Sequence, residues 1–369
     1  MKKLRLLLFL LAGSLYAADE AVTHTIPEWL VLAEQGDPVA FRTVIDAYNK
    51  SEIGVKNQPV ALRVFLKFAD QGHLHAQFIV GMMYSQGEGT SQNEAEAAKW
   101  FLKAAEQGDA SAQAQIGLQY AIGTGVAKDS KTGLEWLQKS AAQNYPLAAH
   151  IIGQIYTGGK VVPRDDAAAA VWFRQAADLG YVDSQKQLGW MYAHGEGVSK
   201  DASSAVAWYG KAFDGGKVEA ALELAGLYEE GQGVPQDYVA ARAWYGKAVD
   251  QKNGWAKFKL GQLAAEGKGG PQDYKEAVDW YRRAVLAGQF DAMSALAQLL
   301  TEDKGVEKDE VEALALLYCA AYAKDASRRA RYQKQIDQLA GRLTSAQITA
   351  AKKRKEEIFD DFMEESYGK

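Results

Sequence analysis

Apolar and small residues along this chain recur at helical spacing, and the spacing itself repeats. Around Trp100, the residues Ala97, Trp100, Phe101, Ala104 and Ala105 fall at i, i+3, i+4, i+7 and i+8, one buried stripe on an amphipathic helix. The stretch before it, about 73–86, presents Ala76, Val80, Gly81 and Tyr84 in the same way. Such a pair of helices cannot cover its own apolar face, so stacking on a neighbouring pair is required. Tryptophan returns every 36 residues, at Trp100, Trp136, Trp172, Trp208, Trp244 and Trp280, with no insertion or deletion. The same step links Gly81, Gly117, Gly153, Gly189 and Gly261, and also Tyr84, Tyr120, Tyr156, Tyr192 and Tyr228. Seven units follow in register over about 73–324. An eighth, degenerate unit precedes them: Tyr48, Asn57, Ala61 and Gly72 keep the register, while Ser51 and Val64 stand in place of the expected glycine and tryptophan.

Alanine and glycine on these stripes let helices approach closely, and the indole is expected to fill the space between successive pairs. The two helices of a unit are joined by a turn of the form G-x-G-V, as at Gly195, Glu196, Gly197 and Val198. Glycine suits a chain reversal that needs positive φ. An aspartate follows at each step, through Asp129, Asp165, Asp201, Asp237, Asp273 and Asp309. It is placed to accept hydrogen bonds from the free N–H groups that open the second helix. Glu276 and Glu312, three residues after Asp273 and Asp309, are expected to complete capping boxes.

Leu188, Gly189, Tyr192, Gly195, Gly197, Val198, Asp201, Ala205, Trp208, Tyr209, Lys211, Ala212 and Gly216 form one nearly complete copy of a motif. It resembles the Sel1-like repeat, a short-loop relative of the tetratricopeptide repeat, and the resemblance covers about 250 to 290 of the 369 residues. The resemblance implies an all-α, right-handed superhelical solenoid of helix–turn–helix repeats. It also implies a non-catalytic scaffold that holds another protein in its concave groove. In this family such partners include envelope assembly components and lipase-type toxins, against which some members give immunity. The pattern weakens at Ser51 and Val64, and again at Leu300, Asp303 and Leu316, where terminal units must act as caps. The expected layout is a signal peptide over 1–17, a helical lead-in over 18–40, a solenoid over 41–324 and a helical cap over 325–369. The cap reads as two helices, starting at Ala326 and Ala346, with Thr344 and Ser345 as N-cap candidates for the second.

With 48% apolar and 24% charged residues, composition excludes disorder and collagen-like structure. The net charge of −5, with no basic block in the body of the chain, argues against a nucleic-acid partner. At the start, Lys2, Lys3 and Arg5 lead into an apolar run from Leu6 to Ala12 and then small residues ending at Ala17, the pattern of a secretory signal peptide. The run is too short for a bilayer, which takes about 20 residues. Its removal would take the net charge from −5 to −8 and leave a periplasmic chain without a stable membrane anchor. Cys319 is the only cysteine, so no intramolecular disulfide is possible and packing must hold the fold.

Candidate chemistry is sparse. The G-x-G pairs lack the preceding strand of a dinucleotide fingerprint. The stretch from Gly125 through Ser130, Lys131 and Thr132 misses a phosphate loop, because Ser130 stands where the second glycine belongs. His24, His73, His75, His150 and His194 are scattered, with no H-E-x-x-H pair or Cys–His cluster. No catalytic residue, metal or cofactor is therefore expected, and an enzyme or small-ligand binder would need titratable groups converging from several units.

In a helix-pair solenoid the first helix of each pair lines the concave surface, and its positions outside the signature carry specificity. In the early units this face reads Ile79, Met82, Leu118, Ile122 and Ile151 and is apolar. Later it reads Asp183, Trp190, Glu219, Glu223, Glu230, Trp255 and Glu266, an acidic face with two tryptophans set in it. Large aromatics outside the core columns are frequent interface hot spots, and clustered acids steer a basic partner. The expected partner-contact residues are Trp190, Trp255, Glu219, Glu223, Glu230, Ile79, Met82 and Leu118, and the expected partner is a protein.

Overall fold

The computed structural model describes residues 24–249, 253–302, 304, 306–322 and 325–367, with side chains as far as Asp361. The expected signal peptide, residues 1–17, lies outside the described residues. Among the described residues there are nineteen α-helices and no strand, and no helix is long and apolar enough to cross a membrane. The chain divides into two compact units, one ending at Tyr181 and the other starting at Val182.

The first unit opens with α1 (Ile26–Gln35), α2 (Pro38–Asn49) and α3 (Gln58–Asp70). Three regular pairs follow: α4 (Leu74–Gln86) with α5 (Glu94–Glu106), α6 (Ala110–Ile122) with α7 (Ser130–Ala142), and α8 (Pro146–Gly158) with α9 (Asp166–Asp178). Helix α1 starts with a capping box, in which the Thr25 N–H donates to Glu28 Oε2 at 2.7 Å, and buries Leu30 and Ala33 in the cluster built by α2 and α3. Those two helices are the degenerate pair. Ser51, at the glycine position of their turn, adopts a φ of 60°, beside 69° for its counterpart Gly87. Val64, in place of the tryptophan, is fully buried.

The second unit holds α10 (Val182–His194) with α11 (Ala202–Asp214), α12 (Ala220–Glu230) with α13 (Tyr238–Ala248), α14 (Gly254–Glu266) with α15 (Tyr274–Leu286), and α16 (Phe290–Thr301) with α17 (Glu310–Ala320). Helices α18 (Ala326–Ala340) and α19 (Ser345–Tyr367) follow. They pack on α17 through Tyr332, Ile336, Leu339, Ala351 and Ile358, which join Leu314, Leu316, Leu317 and Cys319 in one cluster. Thr344 caps α19, its Oγ1 accepting from the Gln347 N–H at 3.3 Å. Cys319 is 1% exposed and free, and burial pushes its thiol up to about 12.

The same devices build both units. Asp129, Asp165, Asp201, Asp237, Asp273 and Asp309 each accept a hydrogen bond from first-turn N–H groups of the second helix they precede. Glu276 and Glu312 do not complete capping boxes. Glu276 pairs with Arg242 and accepts from Trp280 Nε1, while Glu312 faces Arg282 at 3.5 Å. A guanidinium binds a carboxylate more strongly than one neutral N–H does.

The indoles sit at the edge of the core rather than in its centre. Trp100 and Trp208 are buried, but Trp136, Trp172, Trp244 and Trp280 are half-buried. A cation three residues on lies over the ring: Lys103, Lys139, Lys211 and Lys247 at 3.7–4.0 Å, and Arg283 over Trp280 at 4.9 Å. The centre belongs to the next residue along, Phe101, Leu137, Phe173, Tyr209, Tyr245 and Tyr281, none more than 4% exposed. Except at Tyr245, where Ala225 takes the place of the glycine, its side chain rests on the recurrent glycine of the first helix. A Cβ at Gly81 would come within 2.6 Å of the Phe101 ring, and one at Gly189 within 2.8 Å of Tyr209. That contact explains glycine in mid-helix, where it costs about 0.5–1 kcal/mol relative to alanine. In the first unit, buried glutamines join successive pairs: Gln113 Nε2 donates to the Ala105 carbonyl at 3.1 Å, and Gln113 Oε1 accepts from Gln143 at 2.9 Å.

Candidate protein-binding face

The first helices of the pairs in the second unit, with the residues that cap them, carry a run of acids: Asp183, Glu219, Glu223, Glu230, Glu266, Asp291 and Glu302. Most are answered locally. Lys217 pairs with Asp183, Lys268 lies 2.7 Å from Glu266, Lys304 lies 2.6 Å from Glu302, and Arg328 and Arg331 of α18 each reach Asp291 at 2.9 Å. Proton affinities follow. The hydrogen bond from Lys304 holds Glu302 below the usual carboxylate range; Glu266, despite burial acting the other way, is lowered by Lys268 and Gln262. Glu219, Glu223 and Glu230 are different. All three are exposed, and none forms an ion pair among the described residues, although Lys217 feels Glu219 at longer range. The uncompensated charge of this face is therefore concentrated on α12 and the residue before it.

A polar layer lies beneath. Tyr245 donates its hydroxyl to Glu229 Oε2 at 2.5 Å, and Lys259 of α14 reaches Glu229 Oε1 at 2.8 Å, with both charged side chains 17% exposed. One 36-residue step earlier, Tyr209 is 1% exposed and its hydroxyl has no hydrogen-bond partner among the described residues. Ala193 stands where Glu229 would be needed. Burial, with the Glu223 charge nearby, pushes the Tyr209 hydroxyl above the ordinary tyrosine range. Burial, the bond to Glu229 and the charges of Glu229, Glu230 and Glu223 do the same to Tyr245. None of Glu229, Lys259 or the tyrosines was among the expected contact residues. The available signal was the change at the buried position after each tryptophan, from Phe101, Leu137 and Phe173 to Tyr209, Tyr245 and Tyr281.

Trp190 and Trp255 flank α12 from the neighbouring first helices. Trp190 is half-buried on the cluster of Tyr209, Leu224 and Leu227, and its ring stacks on His194 with centroids 4.5 Å apart. Trp255 is 42% exposed, with Lys259 Nζ 5.5 Å from its ring centre. Five expected contact residues, Trp190, Glu219, Glu223, Glu230 and Trp255, thus share one face of the second unit. The other three lie in the first unit. Met82 and Leu118 are half-buried against neighbouring core clusters. Ile79 is only 3% exposed, packed with Val64, Val80 and Met83, which removes it from any surface a partner could touch.

A cleft of about 330 Å³ lies among α15, α16, α17 and α19. Its apolar floor of Val285, Leu286, Leu296, Leu316 and Ile358 is rimmed by Arg282, Glu312, Arg354 and Asp361, charges of both signs and no histidine. Among the described residues no group of three or more His, Cys, Asp or Glu side chains is placed to hold a metal ion.

The Sel1 repeat model matches seven consecutive segments, 74–109, 110–145, 146–181, 182–217, 218–253, 256–289 and 290–325. The chain belongs to the Sel1 repeat family. Sel1 repeats are generally a non-catalytic, protein-interaction fold. Among solved structures, c5321, a protective antigen present in uropathogenic Escherichia coli strains displaying an SLR fold, is 30% identical with a TM-score of 0.75, over 92% of this chain and 71% of that one. A Sel1 repeat protein from Oxalobacter formigenes is 29% identical with a TM-score of 0.59, over 84% of this chain and 90% of that one. Immunity protein Pa5087 from Pseudomonas aeruginosa is 18% identical with a TM-score of 0.33, over 72% and 81%, a likeness too slight to bear on function. No curated protein matches the chain.

Proposed function

We propose that this Sel1 repeat protein is a periplasmic, non-catalytic binding module that holds a partner protein on the first-helix face of its second unit, as an envelope scaffold or regulator. The observation that carries this reading is the contrast between Glu219, Glu223 and Glu230, which lack ion pairs among the described residues, and the neighbouring acids, which have them. Uncompensated charges beside the exposed Trp255 and the half-buried Trp190 steer and then anchor a basic protein surface. Met82 and Leu118 offer a smaller apolar contact in the first unit.

The test is affinity capture from periplasmic extract with the native chain and with a Glu219→Lys, Glu223→Lys, Glu230→Lys variant. A basic protein retained by the native chain, released by salt and lost from the variant supports the reading. Equal retention by both overturns it. The identity of the retained protein separates an envelope component from a lipase-type toxin, the case in which the chain would confer immunity.

A further inference from the structure

We propose that the α12 face contains a socket for one arginine side chain of a basic partner protein, seated over Gly226 between Trp190 and the carboxylates of Glu223 and Glu230. The socket rests on the reading of this face as protein-binding and names the group that it grips.

Gly226 shares a repeat position with Trp190, one step before it, and Gln262, one step after it. Unlike Gly189 and Gly261, whose space is filled by tyrosine rings, Gly226 is open: a Cβ there would meet no heavy atom within 4 Å. Glu223 and Glu230 stand three residues before it and four after it, so they flank the gap on the same helix face. Trp190 forms the side toward α10, packed on the cluster that includes Leu224 and Leu227 of α12.

The same unit already shows how such a site holds a cation. Around Tyr245, Glu229 accepts the tyrosine hydroxyl on one oxygen and Lys259 on the other, and Lys259 also lies toward the Trp255 ring. Around Tyr209 the hydroxyl is present without a partner, Glu223 occupies the position equivalent to Lys259, and no cation pairs with it among the described residues. The Glu223 charge already acts on the Tyr209 hydroxyl, so a cation over Gly226 would compensate a carboxylate that stands near a buried, unpartnered donor. Arginine fits better than lysine. Its planar fork can donate to carboxylates on two sides while lying against an indole, whereas an ammonium is a single point of charge.

The experiment is fluorescence anisotropy of the intact protein with labelled oligo-arginine and oligo-lysine peptides of equal length at physiological salt. Oligo-arginine should bind about tenfold more tightly than oligo-lysine. Gly226→Leu, which fills the gap with a good helix former, should weaken oligo-arginine binding about tenfold without lowering the unfolding midpoint. Glu223→Gln should weaken it more than Glu219→Gln, since Glu219 lies outside the socket, and this comparison decides the matter if Gly226→Leu folds poorly. Equal binding of the two peptides, or indifference to both Gly226→Leu and Glu223→Gln, overturns the socket. If Gly226→Leu retains the periplasmic partner fully while the triple lysine variant loses it, the socket fails and the binding face stands. If the triple variant retains the partner, the face itself fails, whatever the peptides do.

Discussion

Ser51 carries a backbone conformation that its own side chain opposes. At a φ of 60° it sits in the left-handed region, where an L-residue with a Cβ loses about 1–2 kcal/mol. Ser51→Gly should therefore raise stability by about 1 kcal/mol, read as a higher urea midpoint. Helical glycines divide in the opposite sense. Gly81→Ala would drive a Cβ to 2.6 Å from the Phe101 ring and should destabilise by about 1–3 kcal/mol, although alanine is the better helix former. Gly226→Ala meets nothing and should stabilise by about 0.5–1 kcal/mol. Thermal melts of the two variants should thus move in opposite directions. The 36-residue register marked Ser51 as a replaced glycine, but only the backbone shows that the turn kept its shape.

At the scale of the helix, periodicity located the stripe but could not choose between two adjacent apolar residues. Trp208 drew attention by size and recurrence, yet Tyr209 is the residue that rests on Gly189. Trp208→Ala should cost about 3 kcal/mol and Tyr209→Ala at least as much, both followed by circular dichroism on heating. One face of the Trp208 ring is covered by Lys211, whose Nζ lies 4.0 Å from the ring centre, a contact that survives in water and gives up less on truncation. Gln113 was not legible either, because a glutamine on a helix reads as surface until both of its hydrogen-bond partners are seen.

Across the molecule, helix pairing, turn positions and aspartate caps were all legible, since each depends on neighbours within one unit. The candidate face was legible only as an acidic drift. Which acids remain uncompensated depends on Lys217, Lys268 and Lys304 in the turns and on Arg328 and Arg331 of α18, contributed from outside the face. Charge arithmetic along one helix column could not include them. Ile79 failed as a surface residue for a related reason: Phe41, Phe65 and Phe68 on α2 and α3 complete a core that the missing tryptophan had concealed.

The lone thiol of Cys319 lies beneath α19, 1% exposed and held protonated far above neutral pH by its burial. The native protein should give no colour with Ellman's reagent at pH 8, and one equivalent of thiol should appear only on unfolding. A chemist can therefore leave the native cysteine in place. A cysteine introduced on the solvent side of α12 would be the single address for a maleimide dye, cross-linker or spin label, selected by folding rather than by mutation of Cys319.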